Sequence, residues 1–300
     1  MRQSIVVGSR SSALALVQAE SVAAALRALY PQRVFTILHI RTEGDSVLSR
    51  QLVEIGGKGV FVKEIEDALL AHDVDLAVHS CKDLPTEQPA GLTIGAFLAR
   101  VDPRDVLVAR LRCPLAGLPG GARVGTGSLR RAAQLRALRP DLALADIRGN
   151  VDTRLRKLDE GQYDAIVMAA AGLSRLGLEG RVSEYFDPQV VLPAPGQGAL
   201  ALELRADDAE VLELIRPLDH PATRQAAGAE RAFQRGLGGG CDVPIGAYAW
   251  PDGGELALRG MLAAQDGGNP FYAEGRGPAA EPEALGERLA RVVLEGVPGR

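Results

Sequence analysis

Ile5-Val6-Val7-Gly8 runs into Ser9-Arg10-Ser11-Ser12 and then into an amphipathic stretch from Ala13 to Tyr30. A short apolar run, a loop of small and basic residues and a helix-period segment together make a βα unit. The pattern recurs. Val34 to Ile40 reads as a second strand, and the loop Arg41 to Gly59, with Gly56-Gly57-Lys58-Gly59 at its core, is expected to be mobile. Phe61, Ile65, Ala68, Leu69 and His72 keep a 3.6-residue period, and Asp75 to His79 reads as a buried strand entering Ser80-Cys81-Lys82-Asp83.

After Arg100-Val101-Asp102-Pro103-Arg104 the units restart. Arg123 to Thr126 leads into Gly127-Ser128-Leu129-Arg130-Arg131 and a helix. Leu142 to Ile147 leads into Arg148-Gly149-Asn150 and a helix expected to be capped around Asp152 or Thr153 and stopped by Gly161. Tyr163 to Ala169 is a strand whose loop delivers Arg175. Leu192 to Gly198 and Pro217 to Pro221 mark junctions, beyond which a helix from Ala222 to Arg235, strands joined by Asp252-Gly253-Gly254 and Asp266-Gly267-Gly268 turns, and a helix from Glu283 to Glu295 describe a small α+β domain.

The 300 residues are 46% hydrophobic and 24% charged, an ordinary globular composition with room for two or three cores. No secretory leader and no apolar run of spanning length is read, so a soluble, cytoplasmic protein without membrane contact is expected. Cys81, Cys113 and Cys241 are far apart and the four histidines are scattered, which points to neither a disulfide framework nor a metal site. A net charge of -4 with 4% aromatic residues argues against a nucleic-acid surface. Only four positions carry lysine, Lys58, Lys63, Lys82 and Lys157, and two of these fall in the loops above.

In open α/β sheets ligands bind beyond the carboxyl ends of the strands, and those ends carry Arg10, Lys82, Arg130, Arg131, Arg148 and Arg175. Several of these loops open helices, whose free N–H groups favour anions, and Ser12, Ser80, Thr126 and Ser128 add short donors. Guanidinium forks match carboxylates, so the set suits a ligand bearing many carboxylates or phosphates; the competing reading is solvated surface arginine. Asp83 is the one acid among these cations, suited to stabilising a cation or moving a proton, or else to forming a turn. Cys241 follows three glycines and offers a loop thiol for covalent chemistry, with Cys81 its rival unless strand alternation turns that sulfur into the core.

Seven segments, in order, resemble the hydroxymethylbilane synthase (porphobilinogen deaminase) family. They are Val7 to Ala15, Gly56 to Glu64, Val78 to Pro85, Val124 to Arg131, Ile147 to Val151, Leu192 to Ala199 and Gly239 to Gly246. The resemblance implies two α/β domains like the halves of a type II periplasmic binding protein plus a small α+β C-terminal domain. The boundaries it suggests are 1–99 with 195–217, 104–192, and 221–300. It implies a transferase that condenses four porphobilinogen units, with loss of ammonia, on a dipyrromethane cofactor joined by thioether to Cys241, and then releases linear hydroxymethylbilane for tetrapyrrole synthesis. Carried over residue by residue, Asp83 stabilises an azafulvene cation; Ser80, Lys82, Thr126, Ser128, Arg130, Arg131 and Arg148 hold the cofactor; Arg10, Ser12, Arg154 and Arg175 bind substrate carboxylates; and Lys58 lies on a covering loop. A monomer is expected. Four positions depart from the family pattern: Gly127 stands where Ser or Thr is common, Gly238 where Glu is common, Glu54 where a basic residue is frequent and Cys81 where Met is frequent. The alternative function, a non-catalytic two-lobed anion-binding protein, has no use for Asp83 and Cys241.

Overall fold

A computed structural model describes residues 2–40, 62–239, 243–264 and 270–296 of the chain. Lys58, Glu54, Cys241 and the turn at Asp266 lie outside the described residues. By its internal contacts the chain forms two units, Met1–Arg100 with Ala199–Arg224, and Val101–Gly198 with Gln225–Arg300.

The first unit is built on a five-stranded sheet from β1 (Ser4–Arg10), β2 (Val34–Ile40), β3 (Leu76–Ser80), β4 (Leu92–Phe97) and β10 (Leu200–Arg205), in the order β2-β1-β3-β10-β4. β1 runs parallel to β2 and β3, whereas β10 is antiparallel to both β3 and β4. Alternation along each strand splits the apolar residues between two faces. Ile5, Val7 and Val78 pack with Ala19, Val22 and Leu26 of the helix Ala13–Leu29. Val6 and Ala77 pack on the other face with Ile65 and Leu69 of the helix Lys63–Leu70.

The second unit repeats the plan with β5 (Asp105–Ala109), β6 (Arg123–Gly125), β7 (Ala143–Ala145), β8 (Ala165–Ala169) and β9 (Glu184–Tyr185), ordered β7-β6-β8-β5-β9. β6 is parallel to β7 and β8, and β5 is the antiparallel member. Both sheets therefore have the same strand order, with the antiparallel strand supplied from the far side of a junction. Two α/β domains of like topology are what the family resemblance implies, and two such sheets are present. A third, antiparallel sheet of β11 (Ile245–Asp252), β12 (Glu255–Leu262) and β13 (Phe271–Pro278) packs with the helices Pro221–Gly236 and Pro282–Gly296 around Phe233, Leu258, Leu285 and Val293. Gly253 and Gly254 have φ of 57° and 93°, so the β11–β12 hairpin closes through the two-residue turn that needs left-handed backbone at both positions.

Most expected elements are present within a residue or two. The helix Val151–Asp159 corrects one expectation: its N-cap is Asn150, with no side-chain cap bond, so Asp152 and Thr153 lie in its first turn. Gly161, with φ of 79°, ends it as expected. β4, β5, β9 and β10 were not foreseen.

The third sheet yields a stability prediction. A Cβ on Gly260 would collide with the Phe233 ring, which is fully buried. Gly260→Ala should destabilise the fold by about 1–3 kcal/mol through overpacking, measured by denaturant unfolding.

Candidate active site

In the first unit the strand ends present the expected groups. Arg10 is the last residue of β1, and Ser12 caps the helix Ala13–Leu29 by accepting a hydrogen bond from the Ala15 N–H at 3.3 Å. Ser80 ends β3, and its Oγ accepts from Gln18 Nε2 at 3.0 Å, tying the strand end to that helix. A 3-10 turn, Cys81–Asp83, follows directly. The Cys81 N–H donates to the Ala199 carbonyl and the Leu84 N–H to the Cys81 carbonyl, so the turn is fixed by main chain on both sides. Cys81 points inward and is 1% exposed, while Asp83 is exposed and accepts no hydrogen bond from any described residue. The buried Cys81 sulfur is thus withdrawn from covalent chemistry, and the free carboxylate is the one presented.

In the second unit β6 delivers Thr126, whose Oγ1 accepts from the Ser128 N–H at 3.2 Å; Ser128 caps the helix Leu129–Leu138 by accepting from the Arg131 N–H at 3.4 Å. Arg130 and Arg131, in the first turn of that helix, are buried and converge on one carboxylate, Asp105. Arg130 Nη1 donates to Asp105 Oδ2 at 2.7 Å, Arg131 Nη2 to Oδ1 at 2.7 Å, and Gln197 Nε2 to Oδ1 at 2.9 Å. Asp105 is 0% exposed. Burial opposes its ionisation, but the two adjacent guanidiniums and their hydrogen bonds prevail and hold the carboxyl well below the usual range. Two guanidiniums against one carboxylate leave one positive charge in excess.

The remaining arginines are held more loosely. Arg148 Nε donates to Asp146 Oδ2 at 2.8 Å and keeps a part-exposed side chain. Arg154 Nε donates to the Gly149 carbonyl at 2.7 Å. Arg175, at the end of the helix Ala170–Arg175, donates from Nη2 to the Gly198 carbonyl at 2.9 Å, and no described carboxylate pairs with it. Burial lowers its pKa to about 10, still well above neutrality. This cation is partly stripped of water and matched only by a neutral carbonyl, the state in which an incoming anion is bound most favourably.

Two departures from the family pattern have local reasons. At Gly127 a Cβ would lie 2.8 Å from Asp146 Oδ1 and 3.0 Å from the Ile147 carbonyl oxygen, so the Asp146–Arg148 pair occupies the space a side chain would need. Gly238 has φ of 72°, a conformation that glycine adopts without strain and glutamate does not. Asp105, Gln197 and Gln18 are the site residues that the sequence reading missed. For Asp105 a signal existed: an acid heading the apolar run Val106-Leu107-Val108 must be buried, and a buried acid needs a cation. Among the described residues no group of His, Cys, Asp and Glu could hold a metal ion, and no helix is long and apolar enough to cross a membrane.

Comparison with known proteins gives two family matches: the porphobilinogen deaminase, dipyromethane cofactor binding domain over residues 5–213, and the porphobilinogen deaminase C-terminal domain over residues 225–295. The chain is 56% identical over 295 residues to the porphobilinogen deaminase of Roseiflexus sp. (strain RS-1), covering 98% of this chain and 97% of that one. It is 50% identical over 291 residues to that of Chromobacterium violaceum, covering 97% and 94%. Among solved structures it is similar to the methionine binding protein MetQ at 14% identity and a TM-score of 0.48, over 75% of this chain and 91% of that one.

The Asp105 cluster makes a stability prediction with a definite sign. Asp105→Asn leaves two buried guanidiniums without their counter-ion and should cost about 3–5 kcal/mol in denaturant unfolding. The folded carboxyl titrates below its unfolded value of about 4. Its contribution is therefore present above that pH and lost as the pH falls further, a dependence that Asp105→Asn should lack.

Proposed function

The chain belongs to the porphobilinogen deaminase family, and we propose that Asp83 is its catalytic carboxylate and Cys241 the residue that carries its cofactor. It is a hydroxymethylbilane synthase, a transferase of tetrapyrrole biosynthesis with a dipyrromethane cofactor. The observation that carries the site reading is the unmatched positive charge: Arg175 faces no described carboxylate, and Asp105 neutralises only one of the two guanidiniums it touches. A cofactor and substrate whose pyrroles bear acetate and propionate groups supply the missing anions, so the residues present fit such a group.

In this reading Ser80, Lys82, Thr126, Ser128, Arg130, Arg131 and Arg148 hold the cofactor carboxylates, with the Cys241 thiolate forming the thioether. When bound, the dipyrromethane supplies the nucleophilic pyrrole carbon on which the chain grows. Arg10, Ser12, Arg154 and Arg175 bind the carboxylates of incoming porphobilinogen, and Lys58 lies on a covering loop. Asp83 stabilises the positive charge that develops on the substrate pyrrole as ammonia departs, and accepts or returns the proton of that step. Its exposure and its lack of a partner among the described residues support the role, since a carboxylate already satisfied by the protein would have less to offer a developing cation. We assign 1–99 with 195–217, 104–192 and 221–300 as the three domains, and a monomeric, cytoplasmic enzyme without nucleic-acid partners. A non-catalytic anion receptor would be served by the arginines but has no use for a free acid such as Asp83.

The purified protein should exceed its sequence mass by one dipyrromethane and colour with an aldehyde reagent for pyrroles. Cys241→Ser should lose both properties and Cys81→Ser should keep them; the reverse result would move the attachment to Cys81. Arg130→Leu, Arg131→Leu and Arg148→Leu should block cofactor assembly or early elongation. Arg154→Leu and Arg175→Leu should load cofactor and stall later, each lost contact costing about 2–5 kcal/mol where it strands a desolvated carboxylate. Native electrophoresis of the enzyme–intermediate complexes reads the order, and identical ladders for all five would contradict it.

A further inference from the structure

Below the turn that presents Asp83, on the sheet face covered by the helix Lys63–Leu70, three ionisable side chains meet out of water. Glu66 on that helix is 7% exposed, His79 on β3 5%, and Glu203 on β10 0%. β3 and β10 pair antiparallel with His79 opposite Ala201 and Ala77 opposite Glu203, so the imidazole and the carboxylate project from the same face. His79 Nε2 lies 3.1 Å from Glu203 Oε2. The contact is too poorly aligned for a hydrogen bond, and Glu66 Oε1 and both Glu203 oxygens likewise have none. Buried polar atoms left so are uncommon, and buried titratable groups with perturbed ionisation concentrate at functional sites.

Other charged groups surround the cluster. Arg205, on the same face of β10, donates to the Leu69 and Val74 carbonyls and pairs with Asp75 and Asp208. Asp67 on the helix adds negative charge, β4 faces β10 here with Ile94 and Leu92, and Arg10 shares the face from the end of β1. Burial, reinforced by the Glu203 carboxylate and opposed by His79, raises the Glu66 pKa to about 7.

We propose that Glu66, packed out of water with His79 and Glu203, is a buried acid that supports the reaction from behind: when Glu66 releases its proton to solvent, one more negative charge lies beneath the strand that presents Asp83, favouring the cation formed there. The inference rests on the reading of Asp83 as the catalytic carboxylate. Glu66 touches no reacting atom and acts through the field and through β3. His79 precedes Asp83 by four residues, so the added charge lies on the order of 10 Å away. At that distance and a protein-like dielectric, one charge changes a rate by roughly tenfold.

The same proton links turnover to stability with opposite signs. The folded Glu66 pKa lies above its unfolded value, so its contribution to stability is complete below about pH 4.5 and is lost as the pH rises through about 7, the window in which turnover should rise. The experiment measures turnover and thermal unfolding against pH for wild-type, Glu66→Gln, Glu66→Asp and Asp83→Asn holoenzymes. A carbon-13 titration of glutamate-labelled wild type accompanies it, with the Glu66 signal assigned by its loss in either Glu66 variant. Expected are a Glu66 carboxyl titrating near neutrality, a Glu66→Gln enzyme about tenfold slower at about pH 8 with both pH trends flattened, and partial recovery of both in Glu66→Asp. A Glu66 that titrates like a surface carboxylate, or a Glu66→Gln enzyme with unchanged pH trends, overturns the proposal even if other variants fail to fold. Asp83→Asn should keep the stability trend while losing turnover. Loss of that trend would overturn the cluster as its source, whereas unimpaired turnover would overturn the Asp83 reading alone.

Discussion

A single carboxylate, Asp105, holds the second unit together at the point where its buried arginines converge. It opens β5 and is wholly buried, and it is tolerable there only because Arg130, Arg131 and Gln197 donate to it. The bonds have consequences beyond charge. Gln197 belongs to the segment Leu192–Gly198, and Arg130 also donates to the Leu192 carbonyl. Gln134, one turn along the same helix, accepts from the Leu192 N–H and from the Tyr272 hydroxyl of β13. Glu230, on the helix Pro221–Gly236, receives the N–H groups of Gly196 and of Ala249 on β11. The two arginines, the crossover segment and the sheet whose chain carries Cys241 are thus fixed to one another inside one unit. Positioning of this kind is what a site needs if its charges are not to reorganise as the reaction proceeds.

The first unit solves a different problem, presenting an acid without satisfying it. Alternation along β3 sends Val78 to one core, His79 to the other face and Ser80 back toward Gln18. The 3-10 turn then buries Cys81 and exposes Asp83 two residues later. Main-chain bonds to Ala199 and within the turn hold the geometry, which leaves the carboxylate itself uncommitted. A lone cysteine beside a charged loop invites a nucleophilic role, but here its burial is the mechanical counterpart of the exposed acid.

The fold was legible wherever order along the chain matches order in space. β1, β2 and β3 with their helices, and β6, β7 and β8 with theirs, are consecutive βα units whose periods of 2 and 3.6 residues can be read directly. The antiparallel strands were not, because β10 joins the first sheet from beyond Gly198 and β5 joins the second from before its own first βα unit. A short apolar run contains nothing that names its partner strand. The arginines were legible as a set, since Arg10, Arg130, Arg131 and Arg148 lie at or just beyond strand ends; Arg175, expected on a loop, instead ends the helix Ala170–Arg175 because the chain turns helical directly after β8. Their individual states were not: Arg130 and Arg131 follow Ser128 within three residues, but the acid that meets them is more than twenty residues upstream.

The proposed site therefore joins two kinds of local charge. The Asp105 cluster and Arg175 offer positive charge that no described carboxylate matches, and the end of β3 offers a carboxylate, Asp83, that no described residue satisfies. In the proposed reading the positive groups retain a polycarboxylate, and Asp83 serves the cation that forms as ammonia leaves. The most direct test is single-turnover ammonia release by the Asp83→Asn enzyme, with its intact pyrrole cofactor verified by mass. Removing the charge while keeping the size of the side chain should slow release by about a hundredfold or more; release at the wild-type rate would show that the carboxylate is structural and that the cation is stabilised elsewhere.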